Sequence, residues 1–234
     1  MKGLINPVMQ KEKKSVVLLS AGLDSTVNLY AANADGGVAL ALSFDYGQRA
    51  APGELRSAAE LCRGLGLRHE ILHLPYFQNL GQSSLTDTNR VVPVGQCVQI
   101  DDLAVSQQTA KAVWVPNRNG VFLNIAAAFA ESLGAGQIVP GFNIEEAATF
   151  PDNSGEYLQA VTEALKFSTA TQVRAHCYTT HLNKTEIVQL GQKLQVPLQQ
   201  IWPCYYAGPK WCGQCESCQR AHRAFANVGV PWPA

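Results

Sequence analysis

Four cysteines near the carboxyl end of the chain have the spacing of a metal site. Cys204, Cys212, Cys215 and Cys218 follow the pattern C-x7-C-x2-C-x2-C. Four thiolates can close a tetrahedral zinc site, which would be structural because no coordination position is left for water. An iron–sulfur cluster is the alternative, and His222 could replace one of the cysteines. The spacing favours zinc, because no further cysteine follows at the ferredoxin interval.

A second chemical signal is the turn at residues 20–26, which follows a run of branched apolar residues. We predict that a strand ends at this turn and that a helix begins in it. Such a turn presents backbone N–H groups and the positive end of a helix dipole, and its small residues let an anion come close. Ser25 and Thr26 would add hydroxyl donors. The pattern predicts a phosphate site, with an ordinary capped turn as the alternative.

The residues that this turn lacks indicate how it would use a phosphate. It has neither the Gly-Lys-Ser/Thr of the mononucleotide P-loop nor the G-x-G-x-x-G of dinucleotide-binding folds. A lysine on the terminal phosphates favours phosphoryl transfer, so its absence favours Mg²⁺ and a departing pyrophosphate. Asp24 could reach such a metal ion, or it could cap the helix. Further along, Arg118 and Asn119 at a helix start could hold an anion or a purine edge, or could be a solvated arginine and a cap.

The composition limits the kind of partner that the protein can have. The chain of 234 residues is 47% hydrophobic, and its 18 lysines and arginines balance 18 aspartates and glutamates. Without a net charge no global field attracts nucleic acid. The stretch MKGLINPVMQKEKK has no signal-peptide core, and no window reaches the roughly 18 apolar residues of a membrane span. We expect a cytoplasmic protein that acts on small molecules, with no membrane segment and no direct nucleic-acid binding.

The apolar pattern predicts the elements that position these residues. Short runs predict strands at 16–20, 38–46, 69–74, 137–142 and 173–178, and longer amphipathic stretches predict helices at 25–34, 54–65, 122–133, 155–167 and 185–194. The alternation predicts an α/β fold, a parallel sheet with helices on both faces. Residues 76–112 are predicted to be a long loop or lid. After Pro203 the composition changes to Cys, Gly, Pro and Tyr, which predicts a small knuckle outside the sheet.

The motif S-x-G-x-D-S at 20–25 resembles the pyrophosphate-binding loop of the N-type ATP pyrophosphatases, the PP-loop superfamily, which adenylate a carbonyl or carboxylate oxygen. The chain as a whole is similar to the 7-cyano-7-deazaguanine synthase family of queuosine precursor biosynthesis. The similarity rests on S-x-G-L-D-S-T at 20–26, S-F-D-Y-G-Q-R at 43–49, P-x-R-N at 116–119, F-L at 122–123, F-P-D at 150–152, K-T-E-I at 184–187 and the four cysteines.

The resemblance implies a fold, a reaction and cofactors. The implied fold is a Rossmann-like, adenine nucleotide alpha hydrolase-like domain at 1–200, followed by a four-cysteine zinc-binding region at 201–234, in a homodimer. The implied reaction uses ATP with Mg²⁺ to activate 7-carboxy-7-deazaguanine. It captures ammonia as an amide, then activates and dehydrates this amide to the nitrile, releasing AMP and pyrophosphate. The zinc ion would be structural.

Roles carry over to the matching positions. The implied catalytic residues are Asp24, Arg118 and Lys184, of which Lys184 could instead be a solvated first-turn lysine. ATP would be bound by Leu19, Ser20, Ala21, Gly22, Leu23, Asp24, Ser25, Thr26 and Phe44. The acid substrate would be bound by Tyr46, Gln48, Arg49, Arg118, Asn119 and Asp152. The metal would be bound by Cys204, Cys212, Cys215 and Cys218.

The sequence departs from the family pattern at several positions. Ala21 and Asn117 stand where glycine is usual, and Pro203 where serine is usual. If position 21 needs a positive φ, alanine costs roughly 1 kcal/mol there. Asn153 and Ser154 replace a cysteine and an arginine beside the expected substrate site. These two changes leave open which acid is bound and whether the second half-reaction occurs.

Two other functions fit the same signals. One is a related adenylating ligase that takes a different acid, stops at the amide, or attaches the deazaguanine to another molecule. The other is a zinc-knuckle binding module on a non-catalytic fold, in contact with RNA. The intact Asp24-Ser25 pair and the neutral composition favour an enzyme over the second of these.

Overall fold

The structure is a computed structural model that describes residues 14–232. Residues 1–13, on which the expectation of no export signal rests, lie outside this part, as do residues 233 and 234. Over the described range, no helix combines the length and the apolar character needed to cross a membrane.

Five parallel strands form one sheet in the order β3-β2-β1-β4-β5. Their bounds are β1 Ser15–Leu18, β2 Val38–Asp45, β3 His69–His73, β4 Gln137–Val139 and β5 Arg174–Ala175. The chain builds the sheet in one direction from β1 to β3 and then in the other from β4 to β5. Ligands of open parallel sheets bind at this point of reversal, beyond the carboxyl ends of β1 and β4. The turn at 20–26 follows β1 at that crevice.

Helices cover both faces of the sheet, as the sequence predicted. They are α1 Leu23–Asp35, α2 Ala51–Leu65, α3 Leu103–Val113, α4 Arg118–Ser132, α5 Ile144–Ala147, α6 Gly155–Ser168, α7 Lys184–Lys193 and α8 Glu216–Asn227. Successive strand residues point to opposite faces. Val16 therefore packs in the cluster formed by α4 and α6, whereas Val17 packs in the one formed by α1 and α2. The predicted α/β class is confirmed.

The prediction of a long loop or lid at 76–112 missed a helix. This segment contains α3 and two short 3-10 turns, Pro75–Asn79 and Gly95–Cys97. Asp102 caps α3 by accepting a hydrogen bond from Val105 N–H at 3.1 Å. The face that α3 buries includes Ser106 and Thr109. Because polar residues share this buried face, the hydrophobic periodicity that reveals a helix was hidden in the sequence.

Several element boundaries also differ from the predictions. The strand predicted at 137–142 ends at Val139, because Pro140 has no N–H to donate to a neighbouring strand. The strand predicted at 173–178 is only Arg174–Ala175, since it pairs with the short β4 at two positions. Helix α4 begins at Arg118, earlier than predicted, and this places the arginine in the first helical turn.

The carboxyl-terminal tail packs against the sheet without adding a strand to the five described. Trp202, Cys204, Cys215 and Cys218 are buried in the same cluster as Val17 of β1. The tail also contains α8, which the prediction of a small knuckle did not include. The region is therefore part of the hydrophobic core on one face of the sheet.

Candidate active site

The turn after β1 leads into α1 through a left-handed residue. Ala21 has a φ of +58°, and its methyl group is fully buried. Its carbonyl accepts a hydrogen bond from Trp202 N–H at 2.6 Å, which ties the turn to the tail. Gly22 is the N-cap of α1 and supplies no side-chain cap. The positive end of the α1 dipole is thus left for an anion.

A cavity of about 240 Å³ opens at this turn. It is lined by most of the predicted ATP-binding residues, namely Leu19, Ser20, Gly22, Leu23, Asp24, Ser25 and Phe44. Ser20 Oγ and Ser25 Oγ lie 3.1 Å apart in its wall. Ala21 and Thr26 are buried outside this lining. The segment after β4 closes the other side, where a Cβ at Gly141 would come within 2.5 Å of Ser25 N.

Asp24, Lys184 and Glu146 form a buried ion cluster in the cavity wall. Lys184 Nζ donates to Asp24 Oδ2 at 2.6 Å and to Glu146 Oε1 at 2.7 Å. Only 5% of Lys184 is exposed, so the alternative of a solvated lysine is wrong. Asn143 also donates to Asp24 Oδ2, at 3.1 Å. Asp24 Oδ1 is buried without a hydrogen-bond partner among the described residues. Such an oxygen suits a hard cation such as Mg²⁺.

The charges of this cluster shift one another's pKa values. Burial raises the pKa of Asp24 to about 6, against the opposing effect of Lys184. Burial alone would lower the pKa of Lys184, but the two carboxylates outweigh it and hold that pKa above its ordinary value. Lys184 in turn outweighs burial at Glu146 and lowers its pKa. Lys184 is therefore charged at neutral pH and holds both acids in place.

Some residues of the motif at 43–49 line the cavity, and others only support the fold around it. Phe44 and Tyr46 line the cavity, and Phe44 stacks on Phe122 with ring centroids 4.0 Å apart. Gln48 instead braces its own turn by donating to Phe44 O and accepting from Tyr46 N–H, both at 2.9 Å. Arg49 donates to three backbone carbonyls of residues 84–90. Neither Gln48 nor Arg49 is part of the cavity lining, although both were predicted to bind substrate.

Arg118, Asn119 and Asp152, which the sequence analysis assigned to the substrate, all line the cavity. Arg118 Nη1 donates to the Tyr46 hydroxyl at 3.0 Å, and its guanidinium carbon lies 5.6 Å from the centre of that ring. The arginine is thus held in place, not free in solvent. Burial raises the pKa of Asp152, although Arg118 and Asn153 oppose this shift. A cation and an acceptor therefore face the same space.

The two substituted residues, Asn153 and Ser154, have different surroundings. Asn153 is buried, lines the cavity and donates to Asp152 Oδ1 at 3.2 Å. Ser154 is the N-cap of α6, because its hydroxyl accepts from Tyr157 N–H at 3.1 Å. Ser154 thus supports the scaffold, whereas Asn153 orients an acid in the cavity.

Several cavity residues were missed from the sequence. They are Glu54, Trp114, Glu146, Phe150, Glu216 and Arg220. Glu54 accepts from Gln48 Nε2 at 2.9 Å, and burial raises its pKa to about 7. Glu146 could have been found from the sequence, because Glu145 and Glu146 follow a predicted strand. The carboxyl ends of parallel strands lie at the edge of the sheet where ligands bind. Phe150 lies in the F-P-D motif next to Asp152, which was a second usable signal; Glu54, Trp114, Glu216 and Arg220 lie outside the motifs and had none.

The four cysteines form a compact cluster that could hold a metal ion, with ligand atoms all within 4.8 Å of one another. A tetrahedral zinc site with Zn–S bonds of about 2.3 Å needs sulfurs about 3.8 Å apart. Cys212 Sγ and Cys218 Sγ lie 4.0 Å apart. Backbone N–H groups of Cys212 and Cys215 point at cluster sulfurs from 3.3 Å, as around bound thiolates. His222 is outside this cluster and contacts the Trp232 ring.

Helix α8 connects the cysteine cluster with the ion cluster of the cavity. The helix begins directly after Cys215, and Glu216 and Arg220 follow one turn apart. Arg220 Nη1 donates to Glu145 Oε2 at 3.2 Å, and Glu145 Oε1 accepts from Lys184 N–H at 2.8 Å. The position of Lys184 therefore depends on a helix that starts at the four-cysteine cluster.

This geometry suits activation of an acid by a nucleotide. The uncapped α1 terminus and two serine hydroxyls provide donors for phosphates, and the unpaired Asp24 oxygen provides an acceptor for a cation. Arg118 provides a fixed positive charge in the same cavity. The cysteine ligands form a closed set, so this centre is suited to holding structure and not to activating water.

Comparisons with known proteins give the family. The model of the queuosine biosynthesis protein QueC family matches residues 14–229. A 7-cyano-7-deazaguanine synthase of Bdellovibrio bacteriovorus is 56% identical over 95% of this chain and 96% of its own length. One from Desulforamulus reducens is 48% identical over 94% and 96%. The solved NMN synthetase of Francisella tularensis aligns with a TM-score of only 0.48 at 17% identity, over 95% of this chain and 80% of its own, which assigns no activity. The chain belongs to the QueC family of queuosine biosynthesis proteins.

Proposed function

We propose that this protein is a 7-cyano-7-deazaguanine synthase, an ATP-dependent carbon–nitrogen ligase that converts 7-carboxy-7-deazaguanine and ammonia to the nitrile. The observation that carries the proposal is a single cavity lined by the turn at residues 20–26 (the phosphate-type turn), the Asp24–Lys184 pair and Arg118. The identity to named synthases over almost the whole chain supports the substrate.

The chemistry requires activation because ammonia does not displace the oxygen of a free carboxylate. The acid oxygen attacks the α-phosphorus of ATP, so an acyl adenylate forms and pyrophosphate leaves. Ammonia then attacks the acyl carbon, loses a proton, and expels AMP to give the amide. A second ATP adenylates the amide oxygen and releases pyrophosphate, and loss of AMP together with both N–H protons of the amide leaves the nitrile. Each step needs positioning and charge stabilisation more than a nucleophilic side chain.

The residues of the cavity would divide these tasks. Ser20, Gly22 and Ser25 would donate to the departing pyrophosphate. Asp24 would hold Mg²⁺, which neutralises phosphate charge when bound, and Lys184 would keep that carboxylate aligned. Arg118 would bind the acid carboxylate or the phosphate that develops beside it. The cysteine cluster would hold a structural Zn²⁺.

A second candidate is a related ligase that stops at the amide or accepts a different acid. Asn153 favours this candidate, because an amide replaces the family's usual cysteine beside Asp152. A non-catalytic knuckle module has no such support from the contacts of the cavity.

We further propose that the protein is a homodimer and that it contacts neither a membrane nor nucleic acid directly. Sedimentation should then give twice the chain mass of 25.3 kDa.

One assay separates these functions. The protein is incubated with ATP, Mg²⁺, ammonium and 7-carboxy-7-deazaguanine, and pyrophosphate is measured while mass spectrometry follows the acid, amide and nitrile. Nitrile together with two pyrophosphates per product supports the proposal. Amide without nitrile identifies the second candidate. No pyrophosphate with this acid or related acids would contradict both.

A further inference from the structure

Two aromatic side chains in the cavity are not used by the proposed chemistry. Trp114 follows α3 and Phe150 precedes the 3-10 turn Pro151–Asn153, and both line the cavity. Their rings are nearly parallel, with an interplanar angle of 7° and centroids 6.1 Å apart. Trp114 keeps 36% of its surface exposed. Partly exposed, parallel aromatic faces in a ligand cavity are suited to stacking on a planar ring.

Phe44, the aromatic residue that the sequence assigned to ATP, is in a different situation. It stacks on Phe122 at a centroid distance of 4.0 Å and an angle of 6°, and only 7% of it is exposed. One of its faces is therefore covered by protein. Trp114 and Phe150 offer more accessible ring surface than Phe44 does.

A hydrogen-bond acceptor lies two residues after Phe150. Asp152 lines the same cavity, and Asn153 holds its Oδ1 at 3.2 Å. A carboxylate accepts hydrogen bonds only, and it can accept two parallel N–H groups at once. The amino-pyrimidinone edge of a guanine-like ring presents such a pair, a lactam N–H beside an exocyclic amine. Proteins read single nucleobases in this way, by stacking on the face and hydrogen-bonding to the edge.

Arg118 provides the complementary charge. Its Nε and Nη1 contact Asn119 and Tyr46, while its Nη2 donates no hydrogen bond to any residue in the described range. A ring that stacks on Trp114 and Phe150 with its amino edge toward Asp152 could direct an acidic substituent to this arginine. The contacts of Asp24, Lys184 and Glu146 form a separate set beside the phosphate-type turn.

We propose that Trp114, Phe150 and Asp152 form the subsite for the heteroaromatic ring of the acid substrate, with stacking on the two rings and the amino edge on the carboxylate. The adenine of ATP binds elsewhere in the cavity. This assignment rests on the proposed function, because it requires a guanine-like acid as substrate.

Direct binding tests the subsite without turnover. Calorimetry measures the affinity of the full-length protein for 7-carboxy-7-deazaguanine and, separately, for ATP with Mg²⁺. Stacking of a base on an aromatic residue corresponds to roughly a 5- to 150-fold change in affinity. Trp114→Ala and Phe150→Ala should each weaken acid binding within that range and leave ATP binding within about twofold. Trp114→Phe should retain most of the affinity.

A matched control is Phe167→Ala, because Phe167 is 93% exposed on α6 and outside the cavity. It should bind both ligands as the wild type does. Asp152→Asn should weaken binding of the acid, since an amide N–H opposes the N–H groups of the ring edge. The same variant should discriminate less against an analogue without the exocyclic amine. Thermal melting of each variant checks that the fold is retained.

The outcomes separate this inference from the function on which it rests. If the wild type binds the acid and the alanine variants bind it equally well, the subsite is wrong and the function stands. If the alanine variants lose ATP and keep the acid, the two rings hold adenine and the inference is overturned. If the wild type binds ATP and not the acid, the proposed function fails and the subsite fails with it.

Discussion

The two oxygens of Asp24 have different surroundings, since Oδ2 is held by Lys184 and Asn143 and Oδ1 has no partner in the described part of the chain. Asparagine has the same shape but cannot neutralise a cation. We expect Asp24→Asn to reduce pyrophosphate release by at least about 100-fold. Its melting temperature should stay within about 4 °C of wild type, because the change removes a desolvated charge. Turnover near the wild-type rate would remove Asp24 from the mechanism.

Glu54 gives the stability a defined pH dependence. Its pKa is raised from 4.5 to about 7 by burial, so the native state holds a proton that the unfolded chain releases. Its contribution is fully present below pH 4.5 and is lost as the pH rises through 7. The side chain of Glu54→Gln cannot ionise. Near pH 8 the free energy of unfolding of this variant should therefore be about 1–3 kcal/mol higher than that of wild type. Denaturant titrations at several pH values measure this; a difference that does not change with pH would contradict it.

Two departures from the family's glycines occur where the backbone is left-handed. Ala21 has a φ of +58° and Asn117 a φ of +50°. Asparagine tolerates this conformation, whereas alanine is strained by roughly 1 kcal/mol. Burial of the Ala21 methyl group stabilises the folded state by about 0.8 kcal/mol. A glycine at this position would destabilise it by about 0.5–1 kcal/mol, because the unfolded chain would have more backbone entropy to lose. Ala21→Gly should therefore change the free energy of unfolding by less than about 1 kcal/mol, measured by chemical denaturation. A gain of several kcal/mol would show that the strain is larger.

At the scale of elements, helix α8 links the four-cysteine cluster to the cavity. Its N-cap Cys215 is a cluster cysteine, and Arg220 on the same helix binds Glu145, which accepts from Lys184 N–H. We expect Cys215→Ser, or removal of the metal by a chelator, to lower the melting temperature by several degrees and to reduce turnover. Metal content and thermal melting are measured on the same sample.

Cys97→Ser is the matched control for this change. Cys97 is exposed and lies outside the four-cysteine cluster, so its replacement should leave metal content, melting temperature and turnover unchanged. An unaltered melting temperature for Cys215→Ser, with the metal lost, would contradict a structural role for the centre.

At the scale of the whole molecule, the tail and the sheet share one hydrophobic cluster that includes Trp202 and Val17. The boundary near residue 200 remains a prediction. The shared core leads us to expect a single cooperative unfolding transition, in which metal release and loss of far-ultraviolet circular dichroism have the same midpoint. Midpoints that differ by more than about 5 °C would indicate that the cysteine region unfolds on its own.

The accuracy of the sequence predictions depended on how local each signal was. The strand, turn and helix at 16–34 and the clustering of the four cysteines were predicted well, because residues close together in the sequence determine both. Helix α3 in the segment 76–112 was missed, because it buries the polar residues Ser106 and Thr109 against the rest of the fold. Gln48 was assigned to substrate because its motif is continuous in sequence, whereas its amide binds its own turn.

The sequence by itself determined the fold class, the turn at residues 20–26 and the four-cysteine set, since these follow from residue types at short spacings. It also indicated the family, through the resemblance of motifs along the whole chain. Only the tertiary structure decided which side chains share the cavity. Lys184 lies 160 residues after Asp24 and still reaches it at 2.6 Å. Trp114 and Phe150 come from separate segments, the end of α3 and the turn after α5, and only the tertiary fold brings their rings together nearly parallel. Long-range packing set these contacts, and no local pattern encodes them.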